Sequence, residues 1–377
     1  MSQSAMQPTE DSTGPGEPSS LRVSLGDRSY SIFMSSGNLV GSCRRVIDGM
    51  AGVSHLVLIA DQRVSPLAEA IAEPLLTSGK RIDRILVPSG EAYKSIEQLT
   101  ALWNRLLELK TDRASLVIAV GGGVIGDLAG FAAASFARGL RFIQVPTTLL
   151  AMVDSSVGGK TGINLAEAKN MVGAFWQPSA VVIDTAALAS LPEREYRSGL
   201  AEIVKYGVIL DAELFGYLEE HASAILDREA TCLRHVIARS CELKASVVEQ
   251  DERETTGLRA ILNYGHTFAH AIEAATEYGR WLHGEAVAIG MTMAARLAVE
   301  LKLLAPADAQ RQQQLLERLQ LPVAQTAIAP EKLWALMQHD KKVEQGRLRF
   351  ILPTRIGHVE RRADVSFTAA ISAMTIR

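Results

Sequence analysis

The sequence predicts an α/β N-terminal domain built on a mostly parallel sheet, followed by a mainly α-helical C-terminal domain. Three observations predict it. Short β-branched runs alternate with helical patterns through the first half, one of those runs ends in a glycine-rich turn that opens a helix, and after Leu191-Pro192 helical periodicity continues with few strand-like runs. At 377 residues the chain exceeds the roughly 250 to 300 at which a single core usually divides, so two domains are expected. They are placed at 21–191 and 192–377, behind a tail at 1–20.

The tail is rich in Ser, Pro, Gly and Thr and lacks an apolar stretch, which predicts disorder rather than a targeting segment. The strand candidates are Leu-Val-Leu-Ile-Ala at 56–60, Arg-Ile-Leu-Val at 84–87, Leu-Val-Ile-Ala-Val at 116–120, Phe-Ile-Gln-Val at 142–145 and Ala-Val-Val-Ile at 180–183. Open α/β sheets bind ligands beyond the carboxyl ends of their strands. Those ends are polar and glycine-rich here: Asp61, Ser-Gly-Glu-Ala-Tyr-Lys at 89–94, Gly-Gly-Gly at 121–123 and Pro-Thr-Thr at 146–148. All four are expected to rim one crevice. Further along, 200–207, 233–249 and 284–304 read as helices, and 348–353 with 357–361 as a late hairpin.

Composition excludes several classes. With 47% hydrophobic and 21% charged residues the chain is an ordinary globular one, and a formal charge of −3 gives no general attraction to nucleic acid or to an anionic membrane. Cys43, Cys232 and Cys241 form neither a CxxC pair nor a disulfide-like pattern, which suits a cytoplasmic protein. No stretch reaches the roughly 18 apolar residues of a membrane span.

Gly121-Gly122-Gly123-Val124-Ile125-Gly126-Asp127 follows an apolar strand and opens a small-residue helix over 128–137, the setting in which GxGxxG cradles a pyrophosphate. Glycine there permits positive φ and close backbone approach; a tight strand-to-helix turn would look the same. The acidic residue that normally follows about twenty positions later is replaced by Val-Pro-Thr-Thr, so an acidic ribose partner is sought at Asp61 or Glu91. Either carboxylate also reads as a helix cap, and Thr147 and Thr148 as turn hydroxyls.

His266 and His270 stand four apart in a predicted helix and face one side. Thr267 occupies the place of a metalloprotease glutamate, which argues against that class. A third imidazole, His283, begins another helical segment, and Glu202 shares a helical face with Lys205. One carboxylate and two imidazoles leave a divalent ion an open position, as catalytic sites do. Spacing alone does not choose the two imidazoles. Basic residues with polar neighbours recur at Arg138, Lys160, Lys169-Asn170, Lys244, Arg259 with Asn263, and Lys341-Lys342. Each also reads as a solvated charge; Lys160 stands out, because Gly158-Gly159-Lys160 resembles an anion-binding loop without Walker spacing.

The motifs Gly-Gly-Gly-Val-Ile-Gly-Asp at 121–127, Val-Pro-Thr-Thr-Leu-Leu-Ala at 145–151, the stretch 154–160, Ser-Gly-Leu-Ala-Glu at 198–202, Leu-Asn-Tyr-Gly-His-Thr-Phe at 262–268 and His-Gly-Glu-Ala-Val-Ala at 283–288 together resemble the 3-dehydroquinate synthases, in order from about 21 to 357. The resemblance implies conversion of 3-deoxy-D-arabino-heptulosonate 7-phosphate to 3-dehydroquinate and phosphate. The route is transient oxidation at C5, phosphate elimination, re-reduction and intramolecular aldol closure. It implies a zinc or cobalt ion on Glu202, His266 and His283, leaving His270 for substrate or proton handling. For NAD it implies Asp61, Glu91, Lys94, Gly122, Gly123, Asp127, Thr147, Thr148 and Lys169, with Asp154 between cofactor and substrate. For the sugar-acid phosphate it implies Arg138, Lys160, Asn170, Lys205, Lys244, Arg259, Asn263, His270 and Lys341, and for the assembly a homodimer. Two departures stand out: Ala269 where the family commonly has Gly, and one additional residue around Thr255-Thr256, expected to tighten packing beside His270 and to shift Arg259. Other sugar phosphate cyclases, metal-dependent polyol dehydrogenases and a non-catalytic nucleotide-binding protein share parts of this pattern.

Overall fold

The computed structural model describes residues 19–375 except 167, 278, 326 and 339–347. Its strands are β1 (Ser19–Val23), β2 (Tyr30–Ser35), β3 (His55–Asp61), β4 (Arg81–Val87), β5 (Ser115–Gly121), β6 (Arg141–Pro146), β7 (Lys160–Leu165), β8 (Ala168–Phe175), β9 (Ala180–Asp184), β10 (Phe350–Arg355) and β11 (His358–Arg362). Its α-helices are α1 (Leu39–Asp48), α2 (Ser65–Ala72), α3 (Ile96–Glu108), α4 (Gly123–Ser135), α5 (Glu193–Ile209), α6 (Ala212–Leu226), α7 (Ala230–Gln250), α8 (His266–Ala275), α9 (His283–Glu300), α10 (Pro306–Arg318), α11 (Pro330–Gln338) and α12 (Phe367–Met374).

Seven strands form one sheet in the order β1-β2-β9-β6-β5-β3-β4, parallel except for the β1–β2 pair. The five strands read from the sequence are all in it. β3, β5 and β9 are buried almost throughout, because helices cover both faces, and burial on both sides makes a continuous apolar run. Within β3 the period of two persists: Leu56, Leu58 and Ala60 pack with α1 and α2, whereas Val57 and Ile59 pack with α3 and α4. Residues 19 and 20, assigned by composition to the tail, instead begin β1, where they pair with Met34 and Phe33. Tail residues 1–18 lie outside the described residues.

The β7–β8 hairpin gives no apolar run, since β8 is largely exposed and glycines interrupt both strands. It lies across α4 so closely that a Cβ on Gly130 would stand 2.5 Å from Thr161 Cγ2. After Asp184 the chain is helical apart from the β10–β11 hairpin, near its expected place. A further core cluster runs from Tyr30, Ile32 and Met34 of β2 into Leu200, Val236, Phe268 and Val287 of the helices, so the sheet edge and the helical part share buried contacts.

Candidate active site

Three helices deliver the predicted metal ligands to one point. Glu202 of α5, His266 at the start of α8 and His283 at the start of α9 each present one ligand atom, all within 4.8 Å of one another. Nε2 of His266 lies 3.6 Å and Nε2 of His283 lies 3.9 Å from Glu202 Oε1. Such convergence needs helix axes closer than ordinary side chains permit, and glycines supply the approach. A Cβ on Gly284 would fall 1.8 Å from the Ser198 carbonyl oxygen of α5, and one on Gly290 would fall 2.2 Å from that of Gly265. The Gly284 amide also donates to Ser198 Oγ at 3.0 Å, and Glu285 caps α9 by accepting from the Leu282 amide at 2.8 Å.

Glu202 is fully buried, Lys205 contacts its Oε2 as an ion pair, and among the described residues nothing hydrogen-bonds to Oε1. Leaving a buried carboxylate oxygen without a donor costs about 1–3 kcal/mol, which a cation on that oxygen would offset. His266 Nδ1 donates to the Tyr264 carbonyl at 3.0 Å, which turns Nε2 with its lone pair toward Glu202. The donor set is therefore that of a three-ligand zinc-type centre.

Beside it stands a cationic pocket. Asp154, in the irregular turn after β6, accepts from Lys244 Nζ and from Tyr206 OH, each at 2.8 Å, with Lys205 Nζ at 3.9 Å. Burial opposes ionisation of Asp154, but Lys244, Lys205 and these hydrogen bonds outweigh it and hold the carboxyl well below the usual range. Burial likewise lowers the pKa of Lys244, and Asp154 partly restores it. On the other side Lys160 and buried Arg259 share Glu254 as a partner, and Nη2 of Arg259 approaches Gly158 so closely that a Cβ there would stand 2.9 Å away. Here the φ values of +99° at Gly158 and +66° at Gly159 do require glycine. Burial and Arg259 push the Lys160 pKa down, against the pull of Glu254.

The loop around Thr255 is organised by a carboxylate that the motifs did not single out. Asp251 accepts from the amides of Thr255 at 2.8 Å, Thr256 at 3.0 Å and Arg259 at 3.2 Å, so the loop is wound around one side chain and Arg259 stays buried beneath it. Three backbone donors on one acceptor are a signal of fold, not of spacing, which is why the sequence hid them. Ala269 is fully buried, and its backbone nitrogen lies 3.1 Å from where a Cβ on Gly290 of α9 would stand.

Residues expected to meet the cofactor gather at the carboxyl edge of the sheet. Lys94 is buried, bonds Asp127 Oδ2 at 2.5 Å and also reaches Asn170 Oδ1. Burial pushes the Asp127 carboxyl up, although Lys94 opposes this. Asp61 ends β3 and accepts from the Arg63 amide at 2.8 Å and from Ser89 Oγ; Glu91 accepts from Asn164 Nδ2 at 2.7 Å. The Thr147 amide donates to the Gly121 carbonyl at 2.9 Å, and Thr148 Oγ1 accepts from the Ala151 amide at 3.2 Å. One expectation is corrected. None of Gly121, Gly122, Gly123 and Gly126 has positive φ; what they provide is space, a Cβ on Gly122 standing 3.0 Å from Thr148 Cγ2 and one on Gly126 standing 2.7 Å from Gln144 Oε1. The helix also begins at Gly123, so its free amides open directly onto the crevice.

Asn263 ends the turn before α8, and the His270 ring sits 5.7 Å from that of His266, edge to face. Arg138 is exposed at the far end of α4, about 20 Å from Gly123 by helix rise, so a single chain does not bring it to the crevice. Lys341 lies outside the described residues.

Two family models cover most of the chain: 3-dehydroquinate synthase N-terminal over residues 84–198 and 3-dehydroquinate synthase C-terminal over residues 199–343. A 3-dehydroquinate synthase of Rhodopirellula baltica is 54% identical over 361 residues, which are 94% of this chain and 96% of that protein. The chain belongs to the 3-dehydroquinate synthase family. Similar solved structures extend that family's relations: a 2-epi-5-epi-valiolone synthase from Streptomyces hygroscopicus with NAD+ and Zn2+ bound has a TM-score of 0.84 at 29% identity, covering 93% of this chain and 97% of that one. A 2-deoxy-scyllo-inosose synthase complexed with carbaglucose-6-phosphate, NAD+ and Co2+ also reaches 0.84, at 28% identity over 94% and 99% of the two chains. A maleylacetate reductase from Agrobacterium tumefaciens, at 16% identity and a TM-score of 0.64, shares the fold.

Proposed function

We propose that the chain converts 3-deoxy-D-arabino-heptulosonate 7-phosphate into 3-dehydroquinate and phosphate. The observation that carries this reading is the meeting of Glu202, His266 and His283 at one point bordered by Lys205, Asp154 and Lys244. Bound at this crevice, a zinc or cobalt ion on those three ligands supplies Lewis-acid polarisation of the sugar oxygens, and NAD supplies a reversible hydride acceptor.

The chain's own groups do the rest. Asp61, Glu91, Lys94, Gly122, Gly123, Asp127, Thr147, Thr148 and Lys169 hold the dinucleotide against the start of α4, and Asp154 stands between it and the sugar. Oxidation at C5 makes the C6 proton acidic, so phosphate leaves C7. Lys160 and Arg259 hold that phosphate; both pair with Glu254, and Arg259 also lies against Gly158. Lys205, Lys244, Asn170, Asn263 and Lys341 hold the carboxylate and hydroxyls, with Arg138 reaching them from the second chain of the homodimer proposed below, and His270 serves substrate or proton handling beside the metal ligands. Return of the hydride regenerates NAD before the ring closes.

The test supplies the full chain with NAD, zinc and three sugar phosphates: the seven-carbon acid and the substrates of the valiolone and inosose synthases. Turnover of the first alone, with one phosphate released per 3-dehydroquinate and no NADH accumulating, is expected. Stoichiometric NADH, or preference for another sugar, overturns the assignment.

No helix among the described residues is long and apolar enough to cross a membrane. We place the protein in the cytoplasm as a homodimer of two-domain chains divided near 191. Three buried free cysteines support the compartment. Leu165, Met171, Val172 and Phe175, apolar and exposed on the β7–β8 hairpin, support the dimer, and sedimentation as a single-chain species would refute it.

A further inference from the structure

One buried carboxylate of α8 belongs to none of the roles above, yet it touches both halves of the site. Glu273 is only 5% exposed. Its Oε2 lies 3.5 Å from Nδ1 of His283, the ring atom opposite the one that faces Glu202. Its Oε1 lies 3.5 Å from Nζ of Lys169, which reaches over from β8. The two imidazole ligands are thus steered by different acceptors: His266 by the neutral Tyr264 carbonyl, His283 by a charged carboxylate. An imidazole whose N–H meets a carboxylate is a stronger metal donor than one that meets a carbonyl.

We propose that Glu273 is a positioning residue that orients His283 for the metal ion and, by sharing its charge with Lys169, links cofactor binding to metal affinity. The linkage rests on the reading, given above, that Lys169 meets NAD; the orientation of His283 does not. Lys169 and the His283 N–H draw on one carboxylate. Moving the lysine charge onto the cofactor's anionic groups leaves more of that carboxylate for the imidazole, so NAD tightens the metal, and by reciprocity the metal tightens NAD.

The experiment measures zinc affinity of the full chain by chelator competition, with and without NAD, and NAD affinity by calorimetry; neither readout depends on turnover. In the wild type NAD is expected to tighten zinc by about fivefold or more. Glu273→Ala should weaken zinc by about 10- to 100-fold and remove the dependence on NAD. Glu273→Gln, which matches the glutamate in shape and can still accept from Nδ1–H without its charge, should fall between. Lys169→Met should tighten zinc in the absence of NAD, because a competing cation has gone. Wild-type zinc affinity in whichever Glu273 variant folds, or weakened zinc in Lys169→Met, overturns the proposal. If NAD fails to bind the wild type at all, the cofactor reading fails instead, and the zinc result for Glu273→Gln still decides the orientation of His283.

Discussion

The two edges of the main sheet carry similar chemistry and opposite fates. At the carboxyl edge lie Asp61, the triple glycine and the threonines, open to a crevice. The amino edge holds His55, whose Nε2 is 2.9 Å from Asp83 Oδ2 and whose Nδ1 is 3.3 Å from Ser115 Oγ, a serine–histidine–aspartate row like that of a hydrolase. That row is sealed. Ser115 is fully buried, donates to Asp112 Oδ1 at 3.0 Å and accepts from the Asp112 amide at 3.1 Å, while Asp83 also pairs with Arg81 at 2.7 Å. His55 of β3 thereby clasps Asp83 of β4 and Ser115 of β5. Where Glu202, His266 and His283 meet, Glu202 Oε1 is buried with no hydrogen-bond donor among the described residues, so its lone pair fits a cation. Residue types do not make a site; unspent lone pairs beside an opening do.

This contrast breaks first at the metal ligands. Glu202→Ala and His266→Ala should each abolish metal retention, read by elemental analysis after dialysis, with a fall in kcat/KM on the order of 10³-fold, about 4 kcal/mol. Full metal content in either would make the two edges equivalent. A gentler probe leaves every ligand in place. Gly284→Ala sets a methyl 1.8 Å from the Ser198 carbonyl, so α9 must move off α5; we expect roughly tenfold weaker metal binding and about 1–3 kcal/mol lost to overpacking in denaturant unfolding.

His55→Ala sharpens the comparison from the other side. It should cost about 1–3 kcal/mol of stability by removing one partner from each of Asp83 and Ser115, while metal content and kcat stay as in the wild type. A drop in kcat beyond the loss of folded protein would give the amino edge a role in turnover. The smallest effect concerns Asp251, whose carboxyl is pushed down to about 2: burial opposes this, but the Thr256 and Arg259 amides prevail. Its folded value lies below the unfolded one of about 3.9, so its contribution is complete above that pH and fades as pH falls toward 2. Acid unfolding of Asp251→Asn should therefore lose steepness between roughly pH 4 and 2, and an unchanged curve would show that the loop carbonyls, not this side chain, hold Arg259.

Much of the fold was legible because burial on both faces writes the interiors of β3, β5 and β9 as unbroken apolar runs. β1 and β8 left no such trace, being exposed strands, and in β2 serines at 31 and 35 interrupt the apolar residues. In the site, Glu202 and Lys205 were visible as neighbours on one helical face, since three residues of helix bring side chains together locally. Glu273 was not, because its partners lie on α9 and β8; Asp251 was not, because its partners are backbone amides, which residue identity does not mark.

By itself the sequence determined the strand set, the glycine turn at the start of α4 and, through several motifs in order, the family; these are properties of local period and of residue identity. Only the tertiary structure decided which imidazoles meet. Helical spacing pairs His266 with His270, yet the ring of His283, from another helix, lies nearer at 5.2 Å against 5.7 Å. The reason is non-local: Gly284 and Gly290 let α9 close on α5 and α8, and no pattern within one helix encodes how near its neighbour will come.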